Sequence, residues 1–157
     1  MRRWNGWGET ERQESLGATA LAFLRERIGA GRTGVETGLE TVLAQIPASR
    51  WSAPDFDDSA LTRLRHARGQ SFRDWLALKY GRVGAVADAV ACPTSPDQVH
   101  AVLQRARRAG ACVVPWGGGT SVVGHLDVPE HARRPVLNLS LERLDQLLDL
   151  QPESRLA

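Results

Sequence analysis

The apolar positions of this chain change period along its length, and the change divides it in two. Leu16, Ala20, Phe23, Leu24 and Ile28 recur at the spacing of one helix face. Thr10 with Gln13 reads as a capping box before them, and Gly29 reads as the stop. A second stripe, Leu39, Val42, Leu43 and Ile46, ends at Pro47, so the amino-terminal third reads as two short amphipathic helices and not as part of a sheet. Ser49 to Ser59 carries Pro54 and several turn formers and reads as a connecting loop, the expected linker. Ser71 and Asp74 then have the N-cap and N3 spacing of a helix through Trp75, Leu76 and Leu78 to Gly81.

From Asp88 onward the pattern is that of a sheet with a crossover. Ala89-Val90-Ala91-Cys92 is a short run of small and β-branched residues bounded by Pro93, as expected for a strand buried on both faces. Ser95, Pro96 and Gln98 supply N-cap, N1 and N3 of a helix whose apolar stripe is Val99, Val102, Leu103 and Ala106. Arg105, Arg107 and Arg108 complement its dipole, and Gly110 closes it. Val113 and Val114 make the next strand, so residues 88–116 read as one βαβ unit of near-minimal length. Pro135 to Leu139 reads as a third strand and Ser140 as the cap of a short helix from Leu141 to Leu148. A fourth strand is expected from near Asp149 toward Ala157. A partial strand at a sheet edge leaves backbone groups unpaired, so the sequence reads as a fragment or a truncated reading frame.

Composition narrows the possible functions. With 157 residues, 42% of them hydrophobic, the chain is long enough for one modest core. Its 20 Lys and Arg are interleaved with 18 Asp and Glu for a net charge of +2, too even a balance for a dedicated nucleic-acid binder. No apolar run reaches the roughly 18 residues that cross a bilayer. Arg2-Arg3 leads into polar sequence instead of a signal segment, which makes a cytoplasmic location the expectation. Cys92 and Cys112 are expected on neighbouring parallel strands, beyond the roughly 7 Å Cα limit for a disulfide. Both read as small buried side chains, and they make no metal site.

Arg63, Arg65, His66, Arg68 and Arg73 form a basic cluster. It reads as a solvated face with carboxylate partners, or as a place where one or two arginines meet a phosphate. His66 is read as structural, and Trp4 and Trp7 as indoles that pack the amino-terminal arm onto a neighbouring surface.

The candidate chemistry lies in Pro115-Trp116-Gly117-Gly118-Gly119-Thr120-Ser121, directly after the second strand. Three consecutive glycines remove every Cβ from that path, so a ligand can approach the main chain and positive φ costs little. Amide N–H groups at the carboxyl end of a strand can form a nest for a pyrophosphate, and Thr120 and Ser121 add hydroxyl donors. A Walker loop is excluded, because Gly119 runs into Thr120 with no lysine in the loop. A Rossmann fingerprint counted from Gly117 puts Val122 at its third glycine, and no helix opens there. A glycine-rich turn without a ligand is the remaining alternative.

Pro-x-Gly-Gly-Gly-Thr-Ser after a strand resembles the pyrophosphate loop of the FAD-binding domain shared by para-cresol methylhydroxylase and vanillyl-alcohol oxidase relatives. Within that superfamily the chain most resembles the alkyldihydroxyacetonephosphate synthase branch and its bacterial FAD-linked relatives. Arg3-Trp4-Asn5-Gly6-Trp7-Gly8, His66-Ala67-Arg68-Gly69-Gln70-Ser71 and Asp88-Ala89-Val90-Ala91-Cys92-Pro93 carry the match. The likeness runs over essentially the whole chain and covers only the beginning of such an enzyme. The remaining FAD domain, the substrate cap and the catalytic tyrosine, histidines and arginine would follow.

The resemblance implies an α/β (α+β) fold. A helical arm and linker would occupy residues 1–83, and the first βαβ-containing part of a PCMH-type FAD domain would occupy residues 84–157. Residues 115–121 would seat the pyrophosphate. FAD is expected to be non-covalent, because Thr120 follows the glycines where some relatives carry a flavin-linked histidine; His125 reads as a loop residue. The partners implied are FAD and either the missing carboxyl-terminal half or a second copy of the chain. The synthase branch exchanges an acyl chain for a fatty alcohol in ether-lipid formation, with no net redox change. An FAD-linked lactate- or glycolate-type dehydrogenase is the other enzyme reading, opposed by the Trp4 to Gly8 motif. A non-catalytic remnant of an FAD module is the reading from a different class. This segment contains no nucleophile, base and acid arrangement of its own.

Overall fold

Three parallel strands form the centre of the fold: β1 (Ala89–Ala91), β2 (Cys112–Trp116) and β3 (Val136–Ser140). The structure is a computed structural model, and it describes residues 3–6, 8–12, 15–31 and 34–156. Strand order is β1-β3-β2, so the last strand in sequence lies in the middle. Asn138 is in register with Val90 on one side and Val114 on the other. The expected βαβ unit is therefore present with a gap: β1 and β2 are joined by a helix but are not neighbours. Burial follows position. Every residue of β1 and β3 is buried, whereas the edge strand β2 leaves Cys112 and Pro115 exposed.

The crossover helix α5 (Pro96–Ala109) is set by its ends, as its sequence predicts. Ser95 Oγ accepts from the Gln98 amide at 3.2 Å, and Gly110 ends the helix in the left-handed region at φ 63°. The Gln98 side chain reaches one residue farther back than a standard capping box and accepts from the Thr94 amide at 2.7 Å. Val99, Val102 and Ala106 pack on Leu137 and Leu139 of the sheet, together with Trp51 and Phe56.

The amino-terminal half packs on the sheet's other flank. Helices α2 (Leu39–Leu43), α3 (Ala60–Arg65) and α4 (Phe72–Lys79) put Val42, Leu64 and Leu78 into one cluster with Val83 and Val86. The Ser71 and Asp74 box caps α4, with each group bonded to the other's amide. Helix α3 was not expected. Its signal was Ser59, whose hydroxyl accepts from the Thr62 amide at 3.4 Å, ahead of Leu61 and Leu64 at helical spacing. Residues 49–59 form a loop, as expected, and the loop is docked: Asp57 and Val90 exchange two main-chain bonds of 2.8 and 2.9 Å that cover the outer edge of β1.

Three expected elements take other forms. Helix α1 (Ala18–Ile28) starts later than the periodicity implies, behind Gly17 without a side-chain cap, and buries none of its residues. The Thr10 and Gln13 capping box involves a position, Gln13, outside the described residues. Leu141 to Leu148 is a turn followed by irregular chain and not a helix, and Ser140 belongs to β3. An eight-residue segment with Leu147 and Leu148 in solvent lacks the packed face that stabilises so short a helix. In place of a fourth strand, the chain reverses through an isolated bridge between Gln151 and Leu156.

Candidate functional site

The glycine loop leaves β2 at the carboxyl end of the sheet. Pro115 and Trp116 still belong to the strand, paired with Leu139 and Ser140, and Trp116 is buried with its ring 4.3 Å from that of His66. The Trp116 carbonyl accepts from the Leu141 amide at 2.8 Å, which fixes the loop's point of departure. Beyond it Gly117 and Gly118 are exposed, while Gly119 is buried at φ 68°. A Cβ placed on Gly117 would meet nothing within 4 Å, and one on Gly118 would touch only Thr120 Cγ2 at 3.8 Å. Among the described residues, the amides of Gly117, Gly119 and Thr120 have no hydrogen-bond partner. Thr120 is exposed, and Ser121 Oγ lies 2.7 Å from His125 Nδ1. The predicted residues Gly117 to Ser121 thus share one bend that is exposed at Gly117, Gly118 and Thr120, with Pro115 and Trp116 before it in the strand.

A cavity of about 300 Å³ lies at the carboxyl ends of the strands, lined by Trp116 but by none of Gly117 to Ser121. Cys92 just past β1, Trp116 at the end of β2 and Glu142 just past β3 line it, facing Arg65 and Asp57. Its charge is mixed, with Arg65 among Asp57 and Glu142.

Burial pushes the Cys92 thiol up, and the neighbouring Glu142 carboxylate pushes it the same way. Cys112, expected to be buried, is exposed because β2 is an edge strand. Iodoacetamide at neutral pH is therefore expected to modify Cys112 about tenfold or more faster than Cys92, read by peptide mass spectrometry. Equal rates would contradict this placement.

The basic cluster divides by function. Arg63 is buried and donates from Nε to the Ala87 carbonyl at 2.7 Å and from Nη1 to that of Pro47 at 2.8 Å. Burial draws its guanidinium below the ordinary arginine value. Arg68 donates to the Val83 carbonyl at 2.7 Å and sits between Asp74 and Asp127 at 3.6 and 3.5 Å. These two side chains tie loops together and are not solvated, although Arg68 has the expected carboxylate partners; of the five, Arg73 is the exposed one. Trp4 packs against the Val42 and Leu64 cluster, and Trp7 lies outside the described residues.

A family profile for the FAD binding domain matches residues 87–157, the span that holds the sheet and the glycine loop. This segment is part of an FAD-binding domain. The cofactor of the flavoprotein is FAD. The whole chain is similar to alkyldihydroxyacetonephosphate synthases. It is 26% identical to that of Trypanosoma brucei brucei and 24% identical to that of Caenorhabditis elegans, each over 97% of this chain and 30% of the relative. The Dictyostelium discoideum enzyme is 29% identical over 58% of the chain. Two solved structures of alkyldihydroxyacetonephosphate synthase superpose with TM-scores of 0.77 and 0.78 at 20% identity, covering 97% of this chain and about a third of theirs. That likeness establishes the fold. The chain spans about 30% of the length of these two curated relatives. No helix among the described residues is long and apolar enough to cross a membrane.

Proposed function

We propose that this chain is the cofactor-seating portion of an FAD-dependent enzyme of the alkyldihydroxyacetonephosphate synthase kind, with the FAD pyrophosphate held on Pro115 to Ser121. One observation carries the reading: the amides of Gly117, Gly119 and Thr120 have no partner among the described residues, and Gly117 and Thr120 are exposed at the carboxyl end of a parallel strand. A pyrophosphate supplies the acceptors such a nest lacks. The Thr120 hydroxyl adds a donor, and Ser121, engaged with His125, steadies the far side. Pro115 and Trp116 act from within the strand by fixing where the bend begins.

Residues 1–83 form the arm and linker of this arrangement, and residues 84–157 form the first part of the FAD domain. FAD is held without a covalent bond, because Thr120 occupies the position after the glycines. The opposite wall of the cleft comes from the remainder of the enzyme or from a second copy, and the location is cytoplasmic. In the whole enzyme the bound flavin supplies the reactive centre at N5. The residues of this chain bind and orient it.

The test is a titration of the purified chain with FAD, followed by quenching of flavin fluorescence and by the visible spectrum. Saturable binding at one FAD per chain is expected. Flavin that stays free at millimolar protein would sink the reading.

A further inference from the structure

The glycine bend is pinned at its exit by a part of the chain about fifty residues earlier, outside the segment matched by the FAD-binding profile. The Gln70 amide donates to the Ser121 carbonyl at 2.8 Å. Gly69 is buried at this crossing, and a Cβ built on it would land on that same carbonyl oxygen, with the Ser121 carbonyl carbon only 2.9 Å away. Main chain meets main chain there because position 69 has no side chain.

The turn that makes this contact is itself held to the sheet. Asn138 of the central strand donates from Nδ2 to the His66 carbonyl at 2.8 Å, in a buried bond. The His66 ring lies on Trp116, and Ala67 is buried in the core with Leu64. Arg68 pairs with Asp127, which follows the glycine loop, while also holding Asp74 and the Val83 carbonyl.

We propose that residues 66–71 are a positioning brace for the glycine loop, in which the bare Gly69 sets the distance between the turn and Ser121. The role of the brace in cofactor binding rests on the FAD seating proposed above. The loop's entry is fixed by β2 and its exit by the brace, so the amides between them keep their aim before any ligand arrives. Donors held in place beforehand bind without an ordering cost, and a loosened exit lowers affinity with every donor still present.

The test compares Gly69→Ala with Gly110→Ala in the full 157-residue chain. Gly110 sits at φ 63° with open space around it, so alanine there strains the end of α5 without touching the loop. Two readouts are taken at a temperature where both variants are folded by circular dichroism: hydrogen exchange at the Gln70 amide, which is bonded to the Ser121 carbonyl, and FAD affinity by fluorescence. Gly69→Ala is expected to speed exchange at that amide about tenfold or more and to weaken FAD binding about as much. Gly110→Ala is expected to leave both within about twofold. The same response in both variants, or none in Gly69→Ala, overturns the brace.

Should Gly69→Ala fail to fold, Asp127→Ala removes only the exposed end of the Arg68 link. It is expected to speed exchange at the Gln70 amide about two- to fivefold, and an unchanged rate overturns the proposal. Exchange needs no flavin, so the two readings fail separately. A wild-type chain that takes up no FAD removes the seating, while the effect of Gly69→Ala on exchange at Gln70 still decides the brace.

Discussion

Gly117→Leu is expected to lower FAD affinity by about a hundredfold or more, roughly 2.7 kcal/mol, and to leave the melting temperature nearly unchanged. Both halves follow from the geometry. Gly117 does not adopt positive φ, and a Cβ there meets no protein atom within 4 Å, so leucine is accommodated at the cost of an ordinary surface substitution, within about 0.5 kcal/mol. On the seating proposed above, the same open space is where an anion would come to reach the exposed amides of Gly117 and Thr120. A leucine side chain excludes it and forfeits two hydrogen bonds to a charged group, each worth about 1.5–3 kcal/mol. Fluorescence titration and thermal melting of the two proteins check this. Unchanged affinity would place the cofactor elsewhere, and a collapsed melting temperature would mean the bend is packed rather than open.

Asp88→Ala is expected to cost about 3 kcal/mol of folding stability, a sizeable part of the roughly 5–15 kcal/mol typical of a domain. Asp88 is buried just before β1. One carboxyl oxygen accepts from the Arg50 main-chain amide at 3.0 Å and from Arg50 Nε at 2.8 Å; the other accepts from Arg50 Nη2 at 2.7 Å and the Val136 amide at 2.8 Å. One side chain thus joins the 49–59 loop, the start of β1 and the start of β3. Arg50 is half exposed, which discounts the charge pairing, and most of the cost comes from the donors left unpaired.

Burial alone would push the Asp88 carboxyl up, but the Arg50 side chain and the Val136 and Arg50 amides outweigh it and hold it below the ordinary 3.8. Its contribution is therefore complete above the unfolded value near 3.9 and is lost as pH falls through the lower folded value. Urea midpoints should show the largest gap between wild type and Asp88→Ala at neutral pH and a shrinking gap below about pH 4. A gap independent of pH would mean that packing and not charge is responsible.

What the sequence made legible was local. Ser95, Pro96, Gln98 and Gly110 lie within one helix length of each other and state its ends. Ser71 with Asp74 does the same for α4. The glycine bend was legible because three missing side chains in a row are a local fact, and its openness is a property of those residues. Contacts between distant segments were hidden. Nothing near Arg63 or Arg68 in sequence indicates that the carbonyls of Ala87 and Val83 come round to meet them. Gly69 was legible only within the His66 to Ser71 stretch that carries the resemblance, because its demand for a bare Cα comes from Ser121. The apolar stripe of α1 met the periodicity rule yet has no surface to lie on, so pattern without a partner misled. The same limit applied at Leu141 to Leu148, where spaced leucines suggested a helix that nothing packs against.

The strand order also governs how this sheet comes into being. β1 and β2 border each other nowhere, so as the polypeptide is made they wait with open flanks until Val136 to Ser140 has been synthesised and slides between them. The leading segments have only helices and the Asp57 bridge to hold them until then. A ribosome that stalls anywhere short of residue 136 therefore releases a chain with no central sheet at all, two sticky ribbons in want of chaperoning.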